Sequence, residues 1–153
     1  MRFALTADQR DHFSKHGTIE FEGVVSPELA DEEVARNRRL AEVAAELTGV
    51  RPLRLGWTKV VTAGELNLKE MGSVQGIAAG VIIKPTGSAI FFSAEHTFSL
   101  AEEGENGYLL IAYAGPGAVY VFNERDPDTH ALKREGYVFG DRLREETHPT
   151  LTR

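Results

Sequence analysis

The residues with the clearest capacity for chemistry are the histidines, because the chain has five of them and no cysteine. Two imidazoles and one carboxylate on one face of a metal ion leave other coordination positions open for reactants. Asp128 and His130 stand at i and i+2, which point to the same side of a strand, and His148 follows. However, Asp128 comes after Pro127 in a turn, where an aspartate commonly caps the next helical turn. Both roles stay open for Asp128: metal ligand and helix cap.

Two other histidine groupings are further candidates for metal binding. His96 follows an apolar run and has Glu95 beside it, but neighbouring residues on a strand point to opposite faces and cannot chelate one ion. His12 and His16 are four residues apart on a predicted helix and share a face. A pair without a third ligand would hold a divalent ion only loosely. We therefore interpret His96 as a polar loop residue and the other two as a surface pair.

Length and composition limit the class of protein. The 153 residues predict a single domain, 1–153, with a helical lead-in containing one strand over 1–49 and a β core with a closing tail over 50–153. No run of about 18 apolar residues predicts a membrane span. The first residues lack the apolar segment and cleavage site of a secretory signal. Because cysteine is absent as well, we expect a cytoplasmic protein with no membrane contact.

The net charge of −6 argues against nucleic-acid binding, since 23 acidic residues outnumber 17 Lys and Arg. Local basic clusters do occur at Arg36, Arg38 and Arg39, and at Lys133 and Arg134. We interpret them as solvated faces of helices and turns. A regulator that binds nucleic acid through the first cluster stays as an alternative, and it would require an affinity that falls steeply with salt.

Four apolar runs rich in β-branched and aromatic residues predict the β core. Glycine, proline, asparagine, serine or acidic clusters separate them, which is typical of short strands in a sandwich or barrel. The runs are 76–83 (GIAAGVII), 89–92 (AIFF), 108–113 (YLLIAY) and 118–122 (AVYVF). The GPG at 115–117 predicts a hairpin turn between the last two. Residues 137–139 predict a final short strand.

The first 49 residues predict a helix, a strand and a second helix. Thr6 with Gln9 three residues later predicts a capping box at the start of the first helix. Residues 18–22 alternate apolar and polar, as in a half-buried strand. Ser26 before Pro27 predicts the start of the second helix. Its buried stripe, ahead of a terminating glycine, consists of Leu40, Val43, Ala44 and Leu47.

Residues 5–29, LTADQRDHFSKHGTIEFEGVVSPEL, resemble the N-terminal signature of the phytanoyl-CoA dioxygenase family of iron(II)/2-oxoglutarate-dependent oxygenases. In that family the segment forms a helix, a strand that joins the sheet, and a helix packed on a double-stranded β-helix. The resemblance implies an α+β, mainly β, fold: a double-stranded β-helix (jelly-roll-like) core with N-terminal helices. The tail, GYVFGDRL followed by HP, is also similar to small chlamydial proteins of unknown function thought to have this fold.

The chain departs from that superfamily at the iron ligands. The family motif is His-x-Asp or His-x-Glu, followed much later by a second His and by an Arg that pairs with 2-oxoglutarate. No histidine here has an acidic residue at i+2; the five are His12, His16, His96, His130 and His148. We therefore expect no catalytic residue, no bound metal and no cofactor.

Two functional hypotheses follow from this departure. The first is a pseudoenzyme: a non-catalytic, oxygenase-like protein that binds a small ligand or a protein partner. The alternative is an active iron(II)/2-oxoglutarate-dependent dioxygenase with a displaced triad, for which Asp128, His130 and His148 are the candidates. Iron(II) and 2-oxoglutarate are expected as cofactors only under this alternative.

Overall fold

The structure, a computed structural model, describes residues 5–100 and 107–153. Helices dominate the first third of the chain, and strands dominate the rest, as the sequence predicts. In chain order the elements are α1 (Ala7–His16), β1 (Thr18–Phe21), α2 (Asp31–Ala35), α3 (Arg38–Thr48), β2 (Arg54–Val61), β3 (Gly64–Leu66), α4 (Leu68–Met71), β4 (Val74–Ile83), β5 (Ala89–Ser93), β6 (Phe98–Leu100), β7 (Tyr108–Tyr120) and α5 (Thr129–Arg134). Within the described residues, no helix is long and apolar enough to cross a membrane.

Five strands form one antiparallel sheet in the order β1-β5-β4-β7-β2, and β3 pairs with β6 in a separate two-stranded sheet. The two longest strands, β4 and β7, lie side by side in the large sheet, with Val81 opposite Ile111. Strand β1 extends this sheet through β5, with Ile19 opposite Phe91. The predicted mainly β architecture with N-terminal helices is confirmed.

Both faces of the central strands are buried, which explains their nearly continuous apolar runs, since successive side chains on a strand point to opposite faces. One face meets the helices in what we call the helix-side core, which includes Phe13, Leu40, Ala44, Val81, Phe91, Ile111 and Tyr113. The other face meets the small sheet, α4 and the tail in the inner core, which includes Leu66, Leu68, Ile82, Phe92, Leu100, Leu110, Ala112, Tyr120 and Tyr137.

The first helix begins as the sequence predicts. Thr6 Oγ1 accepts a hydrogen bond from the Gln9 amide at 3.1 Å, and Gln9 Oε1 accepts one from the Thr6 amide at 2.9 Å. These two bonds satisfy amides that a helix start would otherwise leave without partners. The helix ends at Gly17, whose φ of 72° is a left-handed conformation that glycine adopts readily.

The sequence predicts a helix over 26–49 whose polar part, 31–39, is either exposed or a separate turn, and one continuous helix over this range is wrong. Residues 26–30 form turns, α2 is only five residues long, and α3 starts anew at Arg38. Asn37 has an extended backbone, and its Oδ1 accepts a hydrogen bond from the Leu40 amide at 3.1 Å, so it caps α3. Val34 and Ala35 of α2 are buried in the helix-side core, but the polar residues 36–39 interrupt the apolar stripe before Leu40.

The predicted hairpin at 115–117 is also wrong, because β7 continues through it. Along β7 the partner of Ala114 is Ile77, whereas the partner of Val119 is Gln75. Residues 115–118 therefore bulge from the pair opposite the single residue Gly76. Pairing with β4 on both sides of the GPG keeps the strand in one direction.

The strand predicted at 137–139 is a turn instead. The Asp141 carboxylate accepts a hydrogen bond from the Val138 amide at 2.9 Å, and the Asp141 amide donates to the Val138 carbonyl at 3.0 Å. The Gly140 amide donates to the Tyr120 carbonyl at 2.8 Å, which attaches the turn to the end of β7. A side chain that satisfies backbone amides locally competes with strand pairing.

Removal of a large side chain from the inner core will destabilise the fold. Leu68 is fully buried in the inner core. We expect Leu68→Ala to lower the free energy of unfolding by about 3 kcal/mol, because truncation leaves a cavity. Denaturant unfolding measures this difference. Val60→Ala is the control, because Val60 is 64% exposed and its truncation should change stability little; equal losses in both variants would contradict a filled inner core.

Candidate functional site

The space between the two sheets is filled by apolar side chains. The inner core joins Leu66 of β3 and Leu100 of β6 to Leu110 of β7. Small residues leave room for the larger ones: a Cβ added at Gly80 would lie 2.9 Å from Phe92 Cζ. Such close packing is typical of a protein interior.

The structure does not bring Asp128, His130 and His148 together. His130 is exposed on α5, with its ring 5.7 Å from the Phe122 ring. Asp128 makes no side-chain capping bond to α5, contrary to the cap interpretation, and its carboxylate lies 3.8 Å from Lys59 Nζ. Across residues 5–100 and 107–153, no three His, Asp or Glu side chains are grouped to hold a metal ion.

His148 is buried in the tail rather than in a metal site. Its Nδ1 lies 3.0 Å from the Tyr137 hydroxyl and 2.8 Å from Thr147 Oγ1. Burial, with the nearby charges of Arg54 and Arg144, lowers the pKa of His148 to about 4. The imidazole is therefore neutral near pH 7 and helps to anchor the tail.

The other histidines lie on the surface. His12 and His16 have ring centroids 4.5 Å apart on α1, and His96 is exposed beside Gly17. An iron(II) site that accepts 2-oxoglutarate needs imidazoles and a carboxylate converging on one open face. The described histidines do not fit such a site, so no reaction step through iron follows from them.

A buried polar cluster does form at the rim of the inner core. Lys59 lies on the same face of β2 as Val61, which packs against that core. Its Nζ donates to Asp126 Oδ1 at 2.8 Å, and Ser73 Oγ donates to Asp126 Oδ2 at 2.6 Å. Ser73 and Asp126 are almost completely buried. This cluster links β2, the start of β4 and the loop before α5.

Asp126 is held in its charged form. Burial alone would raise the pKa of its carboxyl group, but hydrogen bonds from Lys59, Ser73 and the Asp128 amide outweigh burial and lower it. A carboxylate that is ionised and fully hydrogen-bonded accepts a proton poorly. The cluster therefore acts as a structural clamp and supplies fixed charge rather than acid–base chemistry.

A cleft of about 520 Å³ opens beside the clamp. Lys59, Met71, Arg125 and Asp128 are among its lining residues, so charges of both signs and an apolar surface face it. The sequence contains one signal that could have indicated this cleft: Trp57, Lys59 and Val61 have the spacing of one strand face, which would place the lysine on the same side as the two apolar residues. Nothing in the sequence pairs it with Asp126, 67 residues away.

Two buried polar atoms have no hydrogen-bond partner among the described residues: Trp57 Nε1 and the Tyr113 hydroxyl. Trp57 packs against Gly72, and Tyr113 is enclosed in the helix-side core. Burial raises the pKa of Tyr113 above its ordinary value, so the hydroxyl stays protonated. Tyr113 lies within packed apolar side chains, whereas the Trp57 ring lies beside the polar cluster, with its centre 5.6 Å from Lys59 Nζ.

The basic cluster Arg36, Arg38 and Arg39 is exposed around the junction of α2 and α3. The first turn of α2 carries three acidic residues, Asp31, Glu32 and Glu33. An acidic group of residues therefore directly precedes the basic cluster in the chain, whereas nucleic-acid recognition relies on a surface of consistently positive charge.

Comparison with solved structures shows which fold this is. SnoK, a non-heme alpha-ketoglutarate-dependent carbocyclase from nogalamycin biosynthesis, is similar with a TM-score of 0.77, 11% identity and coverage of 97% of both chains. Two structures of CT296 from Chlamydia trachomatis are similar with TM-scores of 0.50 and 0.52 and identities of 20% and 19%. They cover 74% and 75% of this chain, and 97% and 99% of CT296.

No protein-family model matches the chain, and no curated protein matches its sequence significantly. The structural similarities confirm the predicted mainly β, jelly-roll-like fold, which is similar to that of SnoK. At these identities they extend to the fold alone.

Stability will depend on pH through His148. Its pKa is about 4 in the folded chain and about 6.5 when unfolded, so the unfolded chain binds more protons between these values. Stability is complete above pH 6.5 and falls as the pH decreases towards 4. We expect His148→Gln to reduce the loss between pH 7 and 4.5 by about 2.5 kcal/mol, measured by denaturant unfolding. His130→Gln, at an exposed position, should keep the wild-type profile; a wild-type profile in His148→Gln would contradict this assignment.

The clamp will be costly to break on one side only. Asp126→Asn removes the close carboxylate partner of the largely buried Lys59 ammonium and leaves it only the exposed Asp128 carboxylate, 3.8 Å away. We expect a loss of about 3 kcal/mol in the free energy of unfolding. The double variant Lys59→Met/Asp126→Asn should recover much of that loss. Glu95→Gln, which removes the exposed pair of Lys69 and Glu95, is the control and should change stability little. If the loss in the double variant equals the sum of the losses in the two single variants, the two side chains are not coupled.

Proposed function

We propose that this chain is a non-catalytic protein on an oxygenase-like fold that acts by binding a small ligand or a protein partner. The observation that carries the proposal is the filled inner core. Leu68, Phe92 and Leu110 occupy the space between the sheets, and the described histidines lie elsewhere. A protein with this arrangement can present surfaces and clefts while its interior serves stability.

The cleft beside Lys59 is the place that we propose for a small ligand. The cleft offers two cations, Lys59 and Arg125, and two acids, Glu70 and Asp128, so it suits a polar ligand with groups of both signs. Met71 offers apolar contact. The clamp keeps Lys59 in position before a ligand arrives, which reduces the entropy lost on binding.

The alternative is an active iron(II)/2-oxoglutarate-dependent dioxygenase with a displaced triad of Asp128, His130 and His148. The similarity to SnoK over 97% of both chains is the observation that favours it. It would require these side chains to move together from three separate environments, including the buried hydrogen bonds of His148.

Anaerobic calorimetry and a turnover assay separate the two proposals. We expect no tight binding of iron(II), no enhancement of binding by 2-oxoglutarate, and no conversion of 2-oxoglutarate to succinate. Tight iron(II) binding that 2-oxoglutarate strengthens would overturn the proposal. If succinate forms, His130→Ala and His148→Ala test the displaced triad: loss of turnover in both supports it, and full turnover in both removes it.

A further inference from the structure

One place on the surface concentrates apolar side chains. Of the described residues, four large apolar side chains are exposed, and three of them belong to one region: Phe122 at 39%, Val138 at 63% and Phe139 at 73%. The bond from the Gly140 amide to the Tyr120 carbonyl brings the turn that carries Val138 and Phe139 to the end of β7. We call these three side chains the apolar tip.

The backbone of the apolar tip is held firmly in place. Two hydrogen bonds close the turn: the Val138 amide donates to the Asp141 carboxylate, and the Asp141 amide donates to the Val138 carbonyl. Tyr137, directly before it, is buried and stacks on Tyr120, with ring centroids 5.8 Å apart. The Tyr137 hydroxyl accepts a further bond from the Arg144 amide at 2.7 Å. The chain therefore presents apolar side chains to water on a preorganised support, which lowers the entropic cost of docking.

A cation contacts the apolar tip directly: Lys133 Nζ lies 4.3 Å from the centre of the Phe122 ring. Arg134 and Arg142 are exposed nearby in sequence. Residues 122–144, which span the tip, contain five Lys or Arg and five Asp or Glu, whereas the whole chain carries −6. Two of those acids are engaged elsewhere: Asp126 pairs with Lys59, and Asp141 closes the turn. An acidic partner would therefore meet complementary charge here and repulsion over much of the remaining surface.

We propose that the apolar tip is the docking surface for a protein segment that carries an apolar side chain flanked by aspartate or glutamate. This inference rests on the proposed binding function and names its partner class. A second copy docked tip to tip would bring the Lys133 side chains of both copies together. An anionic membrane is an extended surface and would also meet the acidic remainder of a chain whose net charge is −6, whereas a short segment would contact the tip alone. A short acidic and apolar segment avoids both penalties, and Phe139 is the expected main contact, as aromatic residues often are.

A library of random peptides displayed on phage, selected on the immobilised full chain, provides the probes. We expect enriched peptides to combine an apolar residue with flanking acids, and their synthetic forms to bind with an affinity that falls as salt rises. Fluorescence anisotropy should show at least about tenfold weaker binding to Phe139→Ser and to Lys133→Glu. Two controls lie at exposed positions outside the tip and should leave the affinity unchanged. Val60→Ser also replaces an exposed apolar residue with serine, and Lys15→Glu makes the same reversal of charge as Lys133→Glu.

Several outcomes would overturn the docking surface. These are the absence of enriched peptides, enriched peptides without acids, or equal affinity for wild type and Phe139→Ser. Self-association that Phe139→Ser removes would assign the tip to a second copy. Binding to phosphatidylcholine–phosphatidylserine vesicles that the same variant loses would assign it to a membrane. A failure of the non-catalytic role would appear in the turnover assay instead. The two failures are distinguishable because Phe139 is not a member of the displaced triad.

Discussion

The structure depends on the pairing of β4 with β7, two long strands that are buried on both faces. Val81 opposite Ile111 supplies the helix-side core, and the next pair, Ile82 opposite Leu110, supplies the inner core. Successive cross-strand pairs thus point alternately into the helix-side core and the inner core. A shift of register by one residue would exchange the two faces, so the packing on both sides selects the register.

The inner core of this chain consists of packed apolar side chains. Gly80 and Ala112 face each other across the central pair, and Phe92 and Leu68 pack against Gly80. Charged groups lie at the rim, where Asp126 accepts hydrogen bonds from Lys59 and Ser73. These bonds join β2, the residue before β4 and the loop before α5. Because Lys59 also lines the neighbouring cleft, the contacts that join the strands also fix one wall of the cleft.

Local signals in the sequence predict the local elements well. The capping box of Thr6 and Gln9 and the apolar runs of β4 and β5 appear where their residue types indicate. Prediction fails where a distant strand decides the outcome. The GPG would make a hairpin in isolation, but pairing with β4 on either side carries β7 through it as a bulge. Ser26 and Pro27 are good helix starters, yet residues 26–30 form turns, and the hydrogen bond from the Leu40 amide to Asn37 Oδ1 starts a separate helix.

The candidate site was least accessible to prediction for the same reason. The i, i+2 argument for Asp128 and His130 assumes a strand, whereas His130 lies in α5, where residues two apart diverge. The contacts of Asp126 with Ser73 and Lys59 span 53 and 67 residues, and only the assembled sheet brings them together. No periodicity in one sequence encodes such contacts.

The tail connects the inner core to the proposed docking surface. Tyr137 stacks on Tyr120 inside the core, and its hydroxyl joins the Arg144 amide and His148. The next two residues, Val138 and Phe139, are exposed. Packing in the interior therefore holds the support of the apolar tip, because the same tyrosine begins the turn. A neutral His148 is part of that support, so acid should loosen the tip before it disturbs the central sheet, whose pairing contains no titrating histidine among the described residues.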